Sequence, residues 1–235
     1  MGVSKPELER TVTAAPGYET GRAVLESGFR VLRALPDAQR HRQVSSLAEL
    51  TSIPRSTVHR LLVQLRRSRA VELRADGRWV VSPQLVEITG RAGPLDGIRT
   101  GTNRVLQALR AQTGATVSLV VATDTSLIAL EMIPGTEDLP IDAYPGVEMP
   151  DRTAAALVLD PRRRHSPRAR PFAAAVDDQD VINGLTCYAR LLSLPGGQRA
   201  ALSTTASAAR RAERFAAHVQ RAGNAIEALA AARVH

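Results

Sequence analysis

The sequence predicts an α+β protein in two parts: a helical N-terminal unit closed by a β-hairpin, and a C-terminal unit of strands bracketed by helices. Three observations lead there. In the first third, apolar residues recur at helical spacing and then give way to two short runs around Asp76-Gly77. Further on come strand-like runs: "ATVSLVVAT", "SLIALEMI", "LPIDAYPG", "LTCYARLLSL" and "RAALSTTA". Positive charge, finally, is concentrated in the first part.

The elements follow in order. Residues 1–20 lack the apolar stretch of a secretory signal and read as a flexible arm. Leu25, Phe29, Leu32 and Leu35 mark one face of a first helix, which Pro36-Asp37 ends. After the loop "PDAQRHRQV", "SSLAELTSI" reads as a short second helix. Ser45 or Ser46 is its N-cap, and Glu49 completes a capping box if the cap is Ser46. A third helix is expected from about Pro54 to Arg67, with the proline at the first helical position, where its missing N–H costs nothing. "AVELRADGRWVV" is a hairpin whose Asp76-Gly77 suits a turn with positive φ. "SPQLVEITGRAGPLDG" is a short helix running into a Gly/Pro-rich connector, so the boundary falls near Gly93-Pro94.

A longer linker helix, "IRTGTNRVLQALRAQTG", carries Ile98, Val105, Leu106 and Leu109 on one side. The strand-like runs follow, with "LPGGQR" as a turn between two of them. The Ala/Arg-rich segment from about Ala206 to Arg233 is helical by propensity. The expected domains are thus the arm (1–20), a first unit (21–93) and a second (94–235).

Net charge is +8, and 30 of the 31 basic residues are arginine, Lys5 being the exception. Residues 20–93 hold 13 Arg against 6 Asp/Glu, whereas residues 94–235 hold 16 against 14. Five of those 16 fall within Asp160–Pro171. A basic unit beside a near-neutral one points to a polyanion-binding module joined to something else. No apolar run is long enough to span a membrane. The single cysteine, Cys187, excludes an internal disulfide and any multi-cysteine zinc site. A cytoplasmic location is the expectation.

Three helices and a hairpin in this order make a winged helix-turn-helix. In its third helix, "SIPRSTVHRLLVQLRR", Val58, Leu61, Leu62 and Leu65 form a stripe for the core. The opposite side presents Ser56, His59, Arg60, Val63 and Gln64, with Arg55 and Thr57 in the first turn. Arginine can donate two bonds to a guanine edge, hydroxyls reach phosphate or base, and Val63 suits a thymine methyl. Arg74 and Arg78 flank the hairpin tip, placed for phosphate or the minor groove. A merely solvated helix face would show similar residues, but the helices before it and the basic wing after it favour DNA.

"SSLAEL…PRSTVHRLLVQL…VELRADGRWVVSPQLVEI" resembles the winged-helix domain of the isocitrate-lyase-regulator (IclR) family of bacterial transcription regulators. The match covers about residues 22–92, with Trp79 in place of the usual tyrosine. In one respect the chain departs: Thr51-Ser52-Ile53 supplies three residues before Pro54 where the family has about six, and no turn glycine is present. The resemblance implies DNA contacts by Arg55, Ser56, Thr57, His59, Arg60, Gln64, Arg74 and Arg78. It implies a double-stranded operator bound by a homodimer or dimer of dimers, with no cofactor and no metal.

For the second unit the resemblance implies a GAF-like effector domain whose pocket holds a small molecule. The candidate pocket residues are Ile141, Ala154, Ala155, Asp177, Leu185, Cys187, Ser203 and Thr205. Ser203 and Thr205 alternate onto one strand face, and Ala154-Ala155 at a helix start leave room and offer backbone N–H groups to an anion. Plainer readings stand beside these: an inert buried cysteine, and hydroxyls satisfied by neighbouring backbone. The family's Gly-Lys after the alanines is Ala156-Leu157 here, and the chain is shorter after Asp160, where "PRRRHSPRARP" is expected as an exposed loop. The domain is therefore a shortened one.

Enzyme readings find little. His41, His59, His165, His218 and His235 show no metal-ligand spacing, and no Gly-x-Ser-x-Gly, P-loop or dinucleotide fingerprint occurs. No catalytic residue is assigned. Two alternatives remain open: a GAF-like sensor whose basic half contacts protein, and a thiol enzyme built on Cys187. Effector identity, target genes and the sign of control are left open.

Overall fold

The structure is a computed structural model describing residues 16–91, 99–159, 169–170 and 174–232. The chain divides into two compact units, Met1–Gly93 and Pro94–His235.

The first unit is built on α1 (Pro16–Ala34), α2 (Gln43–Thr51) and α3 (Arg55–Arg67), followed by a hairpin of β1 (Val71–Leu73) and β2 (Trp79–Val81) and by α4 (Pro83–Arg91). Its core gathers Val31, Leu35, Leu47, Ile53, Val58, Leu61, Leu62, Val71 and Trp79. Burying each larger side chain contributes roughly 1.5–3 kcal/mol. The three α3 residues in that core, Val58, Leu61 and Leu62, are those of the expected stripe, with Leu65 partly buried beside them.

Several local expectations are corrected. Of the expected arm, residues 1–15 lie outside the described residues, and 16–20 belong to α1. Of the expected stripe, Leu32 packs against the core and Leu35, just past α1, is buried, but Leu25 and Phe29 are 64% and 53% exposed and Gly28 and Val31 face inward instead. Gly28 faces Leu65 of α3, where an added Cβ would sit 3.9 Å from Leu65 Cδ2 in ordinary contact. Ser46 is not an N-cap. α2 begins at Gln43, leaving Ser46 buried inside the helix, where its Oγ accepts the Gln39 N–H at 3.1 Å. Glu49 forms no capping box and instead takes both Arg42 guanidinium nitrogens, at 3.2 and 3.1 Å. Pro54 is the N-cap of α3, one position before the first helical residue.

The three-residue turn works because Ser52 adopts left-handed backbone (φ 54, ψ 31), the conformation a glycine usually supplies. An Arg30 guanidinium nitrogen donates to the Thr51 carbonyl, and Ile53 drops into the core. At the far end of α3, Arg69 has φ 59 and the Ala70 N–H reaches back to the Leu65 carbonyl at 2.8 Å. That Schellman closure delivers the chain into β1.

The second unit is a seven-stranded antiparallel sheet. Its strands are β3 (Thr116–Ala122), β4 (Leu127–Ile133), β5 (Glu148–Met149), β6 (Ala169–Arg170), β7 (Ala174–Asp178), β8 (Leu185–Ser193) and β9 (Arg199–Ser207), in the spatial order β5-β4-β3-β9-β8-β7-β6. Helices α5 (Arg99–Thr113) and α7 (Ala216–Ala231) cover one face, and the short α6 (Ala154–Leu159) covers part of the other. Alternation divides β8 between them. Tyr188 and Leu192 join the α5/α7 core, while Cys187, Ala189 and Leu191 face the α6 side.

Here too the structure departs from the sequence expectations. "LPIDAYPG" is a loop, and the edge strand is the two-residue β5 just after it. β7, "AAVDD", was not among the expected strands: it is a short run whose acidic end masks the alternation. β9 continues through Ser207 and a 3-10 turn spans Ala212–Phe215, so α7 begins ten residues later than expected. The connector at Gly93-Pro94 and Ile98 lie outside the described residues. So does most of the expected basic loop, except Ala169–Arg170, which form β6.

Candidate nucleic-acid interface and effector pocket

Because the leucine side of α3 is buried, the other side is presented outward. Arg55, Ser56, His59, Arg60 and Gln64 are exposed, and Thr57 and Val63 are half-buried. No acidic residue lies in the first turn of α3, so its positive dipole end and Arg55 act in the same sense toward an anion. Among the described residues of α3 the charged groups are all cationic.

The wing is held by one side chain. Gln43 Oε1 accepts the Trp79 N–H at 2.8 Å and Gln43 Nε2 donates to the Trp79 carbonyl at 2.9 Å. The amide thus pairs with β2 as a neighbouring strand would, and buried Trp79 anchors the hairpin in the core. At the tip, Gly77 takes φ 78 and its N–H donates to the Arg74 carbonyl at 2.9 Å. Arg74 is exposed. Arg78 is half-buried and closed on Asp76: its Nε donates to Oδ2 at 2.6 Å and its backbone N–H to Oδ1 at 3.1 Å. The Arg78 side-chain hydrogen bond, helped by its backbone N–H, holds the Asp76 carboxyl below the ordinary carboxylate value.

In the second unit a cavity of about 270 Å³ opens on the α6 side of the sheet. Its floor is a row across three strands: Asp177 on β7 is in register with Cys187 on β8, and Cys187 with Thr205 on β9. Cys187 Sγ and Thr205 Oγ1 lie 3.3 Å apart. Burial pushes the thiol up to about 12, so it stays protonated at neutral pH. Asp177 Oδ1 accepts the Asp180 N–H at 3.0 Å. The apolar wall includes Met132, Ile141, Val147, Met149, Ile182 and Leu185. Met132 arrives there because a β-bulge in β4, opposite Leu119/Val120, shifts the alternation by one residue.

The family model of the IclR helix-turn-helix domain matches residues 24–75. Over 88–89% of its length the chain is similar in fold to solved IclR structures. An IclR homolog from Microbacterium hydrocarbonoxydans, crystallised with 4-hydroxybenzoate, superposes with a TM-score of 0.73 at 18% identity, over 89% of this chain and 99% of that one. An IclR transcriptional regulator from Alicyclobacillus acidocaldarius gives 0.66 at 19%, over 88% and 98%. The Thermotoga maritima IclR gives 0.62 at 18%, over 89% and 98%. No curated protein matches the chain.

The first unit thus brings Arg55, Ser56, His59, Arg60 and Gln64 to one exposed helix side, with Arg74 exposed on the wing. Arg78 departs from the expectation, being engaged by Asp76. In the second unit, Ile141, Asp177, Leu185, Cys187 and Thr205 line one cavity. Ala154, Ala155 and Ser203 do not line it. The two alanines fill the contact between α6 and the sheet, beside Val120, Ala175 and Ala189, and Ser203 is buried in mid-sheet. Nor does the start of α6 offer all its amides to an anion, since the Ala156 N–H goes to Thr153 Oγ1 at 3.3 Å. Sequence reasoning missed Gln43, Asp76 and the wall residues Met132, Val147 and Met149. Alternation pointed away from Met132, because nothing in the sequence marks the bulge. No helix among the described residues is long and apolar enough to cross a membrane.

Proposed function

We propose that this IclR-type regulator binds a pseudo-palindromic operator as a homodimer, reading base edges in the major groove through Arg55, Ser56, Thr57, His59, Arg60 and Gln64. The observation that carries this reading is the outward-facing, acid-free side of α3 above a buried leucine ridge. Arg74 on the wing contacts phosphate. Val24, Leu25 and Phe29 form an exposed apolar stripe on α1 in the same unit, which a second copy of the chain covers. Two heads then lie about one helical turn apart on the duplex.

The 270 Å³ cavity is the effector site, a reading supported by the solved homolog that holds a small aromatic acid. Effector shifts operator affinity by its differential affinity for two arrangements of the heads. The protein works in the cytoplasm. Selection of bound duplexes from a random pool tests the proposal. Enrichment of an inverted repeat with half-sites ~10 base pairs apart supports it, and recovery of no common sequence overturns it. A sensor using its basic half for protein contact would bind duplex at no salt concentration. A thiol enzyme is opposed by the raised pKa of the half-buried Cys187 thiol, which keeps it protonated.

A further inference from the structure

The wing is a hairpin of two three-residue strands, too short to hold its own place. Its cross-strand bonds fix which way each backbone group points. The Arg74 N–H donates to the Arg78 carbonyl at 2.8 Å and the Ser82 N–H to the Ala70 carbonyl at 3.1 Å, and Glu72 is in register with Val80 between them. In an antiparallel ladder the intervening residues turn their N–H and C=O away from the partner strand. Trp79 is one of these, so both of its backbone groups face the outer edge of β2. Gln43 takes both with one amide. Without that amide, two polar groups beside a buried side chain would lose their partner.

Gln43 is itself held. It is the first residue of α2, and the turn before it is tied to that helix. Ser46 Oγ accepts the Gln39 N–H, Gln39 Oε1 accepts Arg42 Nε at 2.7 Å, and Arg42 pairs with Glu49. The other end of the link lies close to the tip. Trp79 follows Arg78, whose carbonyl receives the Arg74 N–H and whose side chain closes on Asp76. One peptide link and one hydrogen bond therefore separate the anchored Trp79 from Arg74, the exposed cation of the wing.

We infer that Gln43 is a positioning residue for duplex binding: acting through Trp79, its amide sets the wing against α2 so that Arg74 reaches phosphate while α3 occupies the groove. This rests on the reading of α3 and the wing as one duplex interface and adds the residue that keeps the two parts in step.

The test uses the full chain and compares wild type, Gln43→Met, Arg74→Ala and the double variant. Methionine keeps the length of the side chain and removes the amide. Fluorescence anisotropy is measured over a range of salt on the selected operator and on random duplex. Acrylamide quenching of Trp79, the single tryptophan of the chain, reports the wing directly. In Gln43→Met, Trp79 is expected to become more open to the quencher. Duplex affinity is expected to fall roughly fivefold and the salt slope to become shallower by about 1, as for Arg74→Ala. In the Arg74→Ala background Gln43→Met is expected to cost little more, because the contact it positions is already gone. An undiminished loss in that background overturns the inference, since Gln43 then acts by another route. Wild-type affinity and slope in Gln43→Met overturn it equally. Should Gln43→Met fold poorly, Gln43→Asn, whose amide is one methylene too short to reach both groups, is judged by the same criteria. Wild-type protein that binds neither duplex in low salt defeats the duplex reading and this inference together, whereas wild-type binding with either failure above defeats this inference alone.

Discussion

The Glu227 carboxylate joins α7 to the sheet by receiving Arg190 at 2.6 Å through one oxygen and the Ser193 N–H at 2.8 Å through the other. Arg190, 8% exposed, also donates to the Gln220 carbonyl at 3.0 Å. The guanidinium has room because residue 223 is glycine: a Cβ there would sit 2.1 Å from Arg190 Nη1 and 2.9 Å from Cζ. Removing Glu227 strands the buried Arg190 guanidinium. Glu227→Ala is therefore expected to lower unfolding stability by about 3 kcal/mol, measured by urea denaturation. Gly223→Ala is expected to cost a similar amount by displacing the same group, and the double variant to cost less than the sum.

Arg60→Ala is expected to weaken operator binding by ~1–3 kcal/mol, with little effect on random duplex, if the side chain makes a bidentate base contact. Fluorescence anisotropy on both duplexes decides it. Equal losses on the two would make Arg60 a phosphate contact.

Within the wing, Arg74→Ala is expected to reduce the slope of log K against log salt by about 1. Arg78 behaves differently because Asp76 holds it. Asp76→Asn removes a negative charge from the tip and loosens Arg78, so operator affinity is expected to rise and the salt slope to steepen. Weaker binding by this variant would mean that the Asp76–Arg78 clasp shapes the tip for contact.

The loop that rims the cavity is fastened near its start by Glu137. One oxygen accepts the Ser207 N–H at 2.9 Å, the other Arg210 at 3.0 Å. These bonds, the Ser207 N–H first, hold its carboxyl below the ordinary 4.5. A depressed carboxyl contributes stability that is present above 4.5 and lost as pH falls through the folded value. Glu137→Gln is therefore expected to flatten the acid limb of a Tm-versus-pH curve. An unchanged limb would show that the fastening does not contribute.

Ser52 sits in left-handed backbone, so Ser52→Gly is expected to retain or slightly raise stability and Ser52→Val to lower it by ~1–2 kcal/mol. Thermal melts of the two variants check the sign.

Much of the first unit was legible in the sequence because its signals are local. The α3 stripe and the Asp76-Gly77 hairpin each follow from a few consecutive residues. What was not legible came from contacts between distant ones. Which apolar residues of α1 face inward depends on its packing against α2 and α3, which buries Val31 and leaves Leu25 and Phe29 exposed, and α2 starts where Gln43 can reach Trp79. In the second unit, Asp177, Cys187 and Thr205 came from a resemblance, while their alignment depends on strand register. Ala154 and Ala155 pack between α6 and the sheet, and small residues serve such close packing as readily as they serve an opening.

The row formed by Asp177, Cys187 and Thr205 has an evolutionary consequence. Neighbouring positions on the same strands, Tyr188 and Thr204 among them, are fixed into the opposite layer, and a one-residue slip would exchange the two sets. The base of the cavity is thus tied to the folding of the whole domain. Ile141 and Val147, in the loop before the short edge strand, lie outside the strand pairing and carry no such tie. Descendants that acquire new ligands should differ there first.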